Sequence, residues 1–215
     1  MDAILILVGP SAVGKTTVMT KILETYNGQF ESVRSATSRA PRGDAFDDEY
    51  IYLSREDFLL SVERGDLLEH MEYGDNLYGT PKSEVTRILS EGKIPLLILD
   101  MVGVESIKSK ERPFLTVAAY IYDTLDVLTE RLSLRCFSGK RDEETFRKRV
   151  RANIADYLSL PEREPLFDIF VKNDEVLSTA EKIVTAFYEY KNERLERPDF
   201  KNIALALCNE AQKQK

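Results

Sequence analysis

The segment GPSAVGKT, at residues 9–16, constrains the fold of this chain more than any other feature of its sequence. It directly follows AILILV, a continuous run of mostly branched apolar residues that is typical of a strand buried on both faces. After it, Val18, Ile22 and Leu23 recur with the spacing of one helix face. The chain therefore begins with a strand, a glycine-containing loop and a helix. In this arrangement, backbone N–H groups and a helix N-terminus can surround a phosphate.

The loop matches the pattern G-x-x-x-x-G-K-[ST], which assigns chemistry to two of its side chains. Lys15 is predicted to span the β- and γ-phosphates of a nucleotide, and the Thr16 hydroxyl is predicted to ligate the accompanying Mg²⁺ ion. The alternative is an ordinary glycine turn with the lysine facing solvent, since the pattern arises by chance in about one chain per hundred of this length. Because the flanking strand and helix stand where the chemistry needs them, we interpret the segment as a nucleotide-binding loop.

Three later apolar segments predict further strands: PLLILD at 95–100, FLTVAAYIY at 114–122 and FDIFV at 167–171. Segments with helical spacing separate them, and this alternation is typical of a parallel sheet covered by helices. Ser54 and Asp57 have the three-residue spacing of a helix-capping box. We therefore predict an α/β fold with a parallel sheet core of the P-loop NTPase type, flanked by helices.

Composition and charge exclude several classes of function. The 215 residues contain no repeat, low-complexity tract or flexible linker, which favours a single domain. A net charge of −7 argues against a broad nucleic-acid-binding surface. Cys136 and Cys208 are too few for a disulfide framework or a zinc site, and no apolar run reaches the roughly 20 residues of a membrane helix. Since no basic leader precedes the first strand, we expect a cytoplasmic protein without membrane or nucleic-acid partners.

The loop SATSRAPRGD, at residues 35–44, concentrates positive charge in an otherwise acidic chain. Arg39 and Arg42 stand three residues apart among hydroxyl side chains, and arginine binds phosphate with planar, bidentate geometry. The predicted ligand is a second phosphate, separate from the one in the glycine loop. The alternative is a solvated loop whose arginines pair with the acidic residues 47–49.

Five motifs occur in order along the chain: GPSAVGKT, TSRAPR, DDEYIYL, LLEHMEYG and LYGTPKSEV. In order and spacing they resemble the guanylate kinase family, and the likeness extends over nearly the whole chain. The resemblance implies an enzyme that transfers the γ-phosphoryl group of ATP to GMP, and to dGMP, with Mg²⁺ as cofactor. It also implies one domain, 1–215, with a core at 1–34, 83–128 and 153–215, an inserted GMP-binding lobe at 35–82 and a helical lid at 129–152.

The resemblance implies roles for individual residues, grouped here by ligand. For ATP it implies Gly9, Ser11, Ala12, Val13, Gly14, Lys15, Thr16, Thr17 and Asn173, with Thr16 also the metal ligand. For the GMP phosphate it implies Ser35, Arg39, Arg42, Tyr50 and Tyr78, and for the guanine edge it implies Glu69 and Thr80, with Gly79 also in the GMP site. For the transfer step it implies Lys15, Arg39, Asp100, Arg131, Arg135 and Arg149.

Glu69 is the residue that we expect to select the base. An ionised carboxylate only accepts hydrogen bonds. Guanine offers N1–H and N2–H₂ as adjacent donors, whereas adenine has an unprotonated N1 at that position. A site that depends on pairing buried polar groups can reject a mismatched analogue by about 10⁴-fold. The alternative is a surface glutamate at the end of a helix, which is the usual environment of this residue type.

The segment 131–151 contains eight Arg and Lys residues against three acids. In phosphoryl transfer, charge spreads over the γ-phosphoryl oxygens, and positioned cations supply most of the stabilisation. The attacking oxygen of GMP is already ionised near neutral pH, so no general base is required, and the single histidine, His70, is interpreted as structural. Four of the cations are expected to face solvent on an amphipathic helix: Lys140, Arg141, Arg147 and Lys148.

Departures from the family pattern leave two alternatives open. Ile98 stands where family members commonly have the first acid of Asp-x-Asp, and Leu77 replaces a frequent tyrosine. The arginine loop is shorter than usual, and the lid is longer around 137–141. One alternative is a kinase of the same fold that acts on another phosphorylated acceptor, such as a sugar phosphate. The other is a non-catalytic guanylate-kinase-like module that binds a protein partner, against which the intact Lys15 and Thr16 argue.

Overall fold

The structure of the protein is a computed structural model, which describes residues 1–41, 43, 47–137, 143–192 and 197–214. In these ranges the strands are β1 Ala3–Val8, β2 Phe30–Ser32, β3 Ser35–Thr37, β4 Tyr50–Tyr52, β5 Leu67–Tyr73, β6 Asn76–Pro81, β7 Ile94–Ile98, β8 Leu115–Tyr122 and β9 Ile169–Lys172. The α-helices are α1 Lys15–Thr25, α2 Arg55–Glu63, α3 Lys82–Ser90, α4 Met101–Lys108, α5 Leu125–Phe137, α6 Glu143–Arg163, α7 Val176–Lys191 and α8 Lys201–Gln212. Short 3₁₀ turns occupy Asp47–Glu49 and Glu164–Leu166.

The strands form two sheets. The larger sheet has the order β2-β7-β1-β8-β9, in which β2 pairs in parallel with β7, and β8 with β9. Every residue of β1 is buried, as the unbroken apolar run AILILV predicts. The smaller sheet has the order β4-β3-β6-β5 and is mixed, because β3 is parallel to β4 but antiparallel to β6. The predicted α/β fold with a parallel core is therefore confirmed.

The chain divides into two compact units, which are described separately below. The first unit comprises Met1–Ile6 and Leu23–Thr116, and the second comprises Leu7–Ile22 and Val117–Lys215. The four-stranded sheet belongs entirely to the first unit. The glycine-containing loop and helices α5 to α8 belong to the second.

In the first unit, α2 packs against the four-stranded sheet. Phe58 of α2 forms a buried apolar cluster with Ala36 of β3 and Leu77 of β6. Ser54 is the N-cap of α2, because its Oγ accepts a hydrogen bond from the Asp57 N–H at 3.0 Å, and the same Oγ donates to Asp57 Oδ2 at 2.7 Å, so the two residues of the predicted box are paired. Burial of Phe58 fixes the helix on the sheet, and the sheet in turn carries most of the predicted acceptor residues.

In the second unit, α8 packs along α6. Its buried side chains are Ala204, Leu207, Cys208 and Ala211, which share one helix face because they are spaced by three and four residues. Leu205, which the sequence shows beside them as an apolar residue, is instead half exposed. Among the described helices of both units, none has the length and apolar character needed to cross a membrane.

Candidate active site

The glycine loop of the second unit has the backbone conformation that its sequence predicts. Gly9 and Gly14 have φ values of 146° and 104°, which side-chain-bearing residues rarely adopt. A Cβ atom on Gly9 would lie 2.1 Å from the Ile121 carbonyl oxygen, and one on Gly14 would lie 2.5 Å from Asn173 Nδ2. Ala12 has a φ of 66°, so even a non-glycine residue of the loop is left-handed. Both glycines are therefore needed for the turn, and they also allow β8 to approach Gly9 and the Asn173 side chain to approach Gly14.

Lys15 and Thr16 stand at the first turn of α1. The Lys15 ammonium group donates to the carbonyl oxygens of Gly9 at 2.6 Å and Pro10 at 2.9 Å, so it lies over the loop. The Thr16 side chain is exposed and presents a hydroxyl oxygen. Mg²⁺ in nucleotide sites usually takes one or two protein oxygens together with phosphates and waters, so a single accessible hydroxyl fits this ion. In the described ranges no group of three or more His, Cys, Asp or Glu side chains offers an all-protein metal site.

Helix α6 contacts the loop at Ser11. Arg149 Nη1 donates to Ser11 Oγ at 3.0 Å. One turn later, the Asn153 amide accepts from the Ser11 N–H at 2.8 Å and donates to the Ser11 carbonyl oxygen at 3.1 Å. The structure therefore places Arg149 at the glycine loop, and its role in phosphoryl transfer stays a prediction. Asn153 was missed by the sequence interpretation, although its position four residues after Arg149 puts it on the same helix face.

Helix α5 brings a second arginine to the loop. Arg131 Nη1 donates to the Val13 carbonyl oxygen at 3.4 Å, and its Nη2 lies 3.1 Å from Asp123 Oδ2. Arg135 lies one turn farther along α5, and its side chain is exposed. Arg131 therefore touches the loop directly, and Arg135 lies on the same face of the same helix.

Asn173, which follows β9, touches the loop from another side. Its Nδ2 donates to the Val13 carbonyl oxygen at 2.7 Å. Its Oδ1 is buried and has no hydrogen-bond partner among the described residues. Buried polar atoms in proteins are nearly always hydrogen-bonded. This oxygen therefore indicates a place where a ligand could donate a hydrogen bond.

In the first unit, Glu69 of β5 and Thr80 of β6 form a buried polar pair. Thr80 Oγ1 donates to Glu69 Oε1 at 2.6 Å, and Glu69 is only 6% exposed, which excludes the alternative of a surface glutamate. Burial raises the pKa of the Glu69 carboxyl above its ordinary value; hydrogen bonds from Thr80 oppose this shift, and the negative charge of Asp100 adds to it. A Cβ on Gly79 would lie 2.9 Å from the Glu69 carbonyl oxygen, so the strand pair approaches closely here.

The N-terminus of α4 lies beside the same carboxylate. Asp100 caps this helix, because its Oδ1 accepts from the Gly103 N–H at 2.8 Å. A Cβ on Gly103 would lie 3.5 Å from Glu69 Oε2, which shows how near the helix start is to that oxygen. The first turn of a helix favours a negative charge. Ile98, at the end of β7, supplies no carboxylate here.

Arg39 is turned into the four-stranded lobe, and its side chain is only 10% exposed. Its guanidinium group lies 5.2 Å from the Tyr50 ring centroid and donates to the Tyr52 hydroxyl at 3.2 Å. Arg39 Nη2 is also 3.6 Å from Asp47 Oδ1, and the Tyr52 hydroxyl donates to the same carboxylate. The pairing of an arginine with residues 47–49, which was the alternative to phosphate binding, therefore occurs for Arg39, but among aromatic rings rather than in solvent. Arg42 lies outside the described residues.

The remaining predicted acceptor residues lie on the same sheet. Ser35 of β3 is in register with Tyr50 of β4, and Thr37 is in register with Tyr78 of β6. The Tyr50 and Tyr78 ring centroids are 6.4 Å apart. The first unit thus brings together an arginine, two tyrosines and a buried carboxylate, while the second unit brings together the glycine loop, Lys15 and two arginines. Lys140 and Arg141 lie outside the described residues.

Comparison with known proteins gives similarity over most of the chain. The family model described as guanylate kinase matches residues 1–190. A guanylate kinase from Sus scrofa is 36% identical over 177 residues, which cover 80% of this chain and 84% of the relative. One from Porphyromonas gingivalis is 34% identical over 196 residues, which cover 88% and 98%. A crystal structure of guanylate kinase from Anaplasma phagocytophilum matches with a TM-score of 0.63 and 22% identity over 91% of this chain and 87% of that one, and so shares the fold.

Proposed function

Because the chain belongs to the guanylate kinase family, we propose that it transfers the γ-phosphoryl group of ATP to GMP, and to dGMP, giving ADP and the corresponding diphosphate. The observation that carries this proposal is the buried Glu69–Thr80 pair in the first unit. The second unit of the same chain has the complete glycine loop at residues 9–16, which we call the phosphate loop. The Glu69–Thr80 pair suits a guanine base, and the phosphate loop suits a triphosphate. The predicted acceptor contacts go to phosphate and base rather than to the ribose 2′-hydroxyl, which is why dGMP is included.

On the donor side, the loop N–H groups, the start of α1 and Lys15 bind the triphosphate. Thr16 would hold Mg²⁺, which when bound neutralises charge on the β- and γ-phosphates. The unpaired Oδ1 of Asn173 accepts a hydrogen bond from the bound nucleotide. Each of these contacts recognises features that are common to the donor whichever acceptor is used.

On the acceptor side, the ionised Glu69 carboxylate accepts from N1–H and N2–H₂ of guanine, and Arg39 binds the phosphate. The pKa of Glu69 is raised in the ligand-free protein because the charged form is buried with few donors. Guanine supplies donors to that charged form and so stabilises it. Adenine has a lone pair at N1 in place of the N–H group, and the carboxylate repels it.

In the transfer step, an oxygen of the GMP phosphate attacks the γ-phosphorus, and the bond from the γ-phosphorus to the β–γ bridging oxygen breaks. The electron pair of that bond leaves with ADP. Charge spread over the γ-phosphoryl oxygens is stabilised by Lys15, Arg131 and Arg149, which already lie on the loop. Because the attacking oxygen is ionised, no side chain needs to remove a proton.

The proposal is tested by measuring ADP release from MgATP with GMP, dGMP, AMP, CMP, UMP and a panel of sugar phosphates. We expect turnover with GMP and dGMP, and minimal turnover with the other acceptors. Equal rates with all of the nucleotides would contradict the role of Glu69. Preference for a sugar phosphate would favour a different acceptor on this fold. MgATP binding by calorimetry without any turnover would favour a non-catalytic module.

A further inference from the structure

Asp123 is a buried carboxylate that none of the predicted roles uses. It directly follows β8, and the residue is 3% exposed. Its Oδ1 accepts from the Thr124 N–H at 2.9 Å, and its Oδ2 lies 3.1 Å from Arg131 Nη2. Burying a carboxylate is unfavourable unless it is paired and hydrogen-bonded. Both oxygens of Asp123 meet that condition, and one of the partners is a predicted catalytic arginine.

The backbone around Asp123 is held by two helices. Tyr157 of α6 is fully buried, and its hydroxyl accepts from the Asp123 N–H at 3.3 Å and donates to the Asp123 carbonyl oxygen at 2.5 Å. Two residues later, the Leu125 N–H donates to Glu210 Oε1 of α8 at 2.7 Å. The carboxylate is therefore anchored in position through its own main chain. A group fixed in this way can orient a longer and more flexible side chain.

Arg131 is the flexible partner of this pair. Its side chain is 38% exposed, yet its guanidinium group contacts both Asp123 Oδ2 and the Val13 carbonyl oxygen of the phosphate loop. A guanidinium group has five N–H donors in a rigid fork, so these two contacts leave donors for phosphate oxygens. Without the carboxylate, the long side chain would sample many rotamers before nucleotide binds.

We propose that Asp123 is a positioning residue that holds the Arg131 guanidinium against the phosphate loop before MgATP binds. The carboxylate acts through Arg131 and does not touch the substrate. Where it concerns the transfer rate, this inference rests on the proposed function. Where it concerns MgATP affinity, it depends only on the phosphate loop. The competing interpretation is an ion pair that only stabilises the fold of the second unit.

The test is a double-mutant cycle with Asp123→Asn, Arg131→Met and the combined variant. Asparagine keeps the size of the side chain and an acceptor for the Thr124 N–H, but it removes the charge that orients Arg131. We expect Asp123→Asn to lower kcat about 10-fold and to weaken MgATP binding several-fold, with the KM for GMP unchanged. In the Arg131→Met background, Asp123→Asn should have no further effect, because residues that act as a unit are not additive.

Asp168→Asn is the matched control. Asp168 is a partly buried aspartate of the same unit, and it accepts from the Ala118 N–H at 2.7 Å within β8. We expect this variant to reduce stability. Any fold-loss of kcat or MgATP affinity that it causes should multiply with the fold-loss caused by Arg131→Met. An effect of Asp123→Asn that likewise multiplies with that of Arg131→Met, in either kcat or MgATP affinity, would overturn the proposal. Wild-type kcat and MgATP affinity in Asp123→Asn would overturn it as well.

Two further measurements keep the outcome decisive. If Asp123→Asn does not fold, Tyr157→Phe replaces it in the cycle, because it removes the hydroxyl that holds the Asp123 backbone. We then expect an approximately threefold loss of kcat that vanishes with Arg131→Met, and a loss that persists overturns the inference. If the wild-type chain does not phosphorylate GMP, the proposed function fails, but the cycle in MgATP affinity still decides whether Asp123 acts through Arg131.

Discussion

The candidate functional residues fall into two sets, one in each unit, which we call the phosphate-loop half and the Glu69 half, and the two sets differ in how their groups are held. In the second unit, the backbone of the phosphate loop sets the geometry. Lys15 donates a hydrogen bond to a carbonyl oxygen of this loop, and Arg149 donates one to its Ser11 hydroxyl. In the first unit, side chains from several strands set the geometry, as in the pairing of Glu69 with Thr80 and the packing of Arg39 among tyrosines. A backbone cradle recognises phosphate, which all nucleotides share, whereas a side-chain pair can recognise one base.

This difference leads to a general expectation about variants. Changes in the phosphate-loop half should lower the rate with every acceptor by the same factor. Changes in the Glu69 half should instead alter the ratio of rates between acceptors.

The largest expected effect is that of Lys15→Ala. The Lys15 ammonium group donates hydrogen bonds to the carbonyl oxygens of Gly9 and Pro10, at the loop where the triphosphate is expected to bind. Its loss removes a cation from the developing charge, so we expect kcat to fall by at least about 10³-fold, measured as ADP release. Lys21→Ala, on the same helix and more than one turn away, is the control. A wild-type kcat in Lys15→Ala would show that the assignment of the phosphate loop is wrong.

Glu69→Gln should act on selectivity rather than on the rate with all acceptors. An amide oxygen accepts from one of the two guanine donors, while the amide N–H group opposes the other. We expect kcat/KM for GMP to fall by about 10²-fold and the GMP to AMP ratio to fall by a similar factor. Glu72→Gln is the control, because Glu72 lies on the same strand, is half exposed and pairs with Arg55. Equal losses with GMP and AMP would show that Glu69 does not contact the base.

Asn153→Ala should produce an intermediate effect in the phosphate-loop half. The variant removes both hydrogen bonds that Asn153 makes with the partly buried Ser11 backbone, one to its N–H group and one to its carbonyl oxygen. We expect MgATP affinity to fall about 10-fold, by calorimetry, with the GMP to AMP ratio unchanged. Ser11→Ala removes only the hydroxyl that Arg149 contacts, so its effect should be smaller. A change in acceptor preference in Asn153→Ala would contradict the separation of the two halves.

The pH dependence of acceptor binding should reveal the raised pKa of Glu69. Guanine binding needs the carboxylate, so the KM for GMP should rise several-fold as the pH falls through the pKa of Glu69, which burial raises above its ordinary value. The GMP phosphate also titrates, with a pKa of about 6, and the Glu69→Gln variant isolates that contribution. If wild type and variant gave the same profile between pH 5 and 8, the pKa of Glu69 would not govern binding.

The same contrast explains what the sequence could predict. The phosphate loop is contiguous, so GPSAVGKT and its flanking strand and helix were enough to place Lys15 and both glycines. The capping box at Ser54 was equally local. The buried environment of Glu69 depends on Thr80, 11 residues away, and on α4; the family resemblance connected Glu69 with Thr80, and only the structure connects it with α4. That same nonlocality hid the partnership of Tyr52 with Arg39, since no regular spacing marks the pair.

Three residues of the second unit were missed because their partners are remote in sequence. Asn153 contacts the loop across 142 residues, Tyr157 contacts Asp123 across 34, and Glu210 contacts Leu125 across 85. No periodicity reports such contacts. Ile203, Leu205 and Leu207 alternate in the sequence and do not mark the face of α8 that is buried, which is identifiable only from its packing on α6.

The smallest effect is expected for Glu210→Ala, which tests whether α8 contributes to stability alone. Helix α8 lies beyond residues 1–190, which the family model matches, and Glu210 caps the first turn of α5 through the Leu125 N–H. Loss of a helix cap costs about 1 kcal/mol, so Tm should fall by roughly 2–4 °C. Because Tyr157 still holds Asp123, we expect kcat to stay within about twofold of wild type, compared with Glu181→Ala as an exposed control on α7. A large loss of kcat without a loss of Tm would mean that α8 acts on the transfer step itself. The phosphate-loop half would then include residues beyond 1–190, the range that the family model matches.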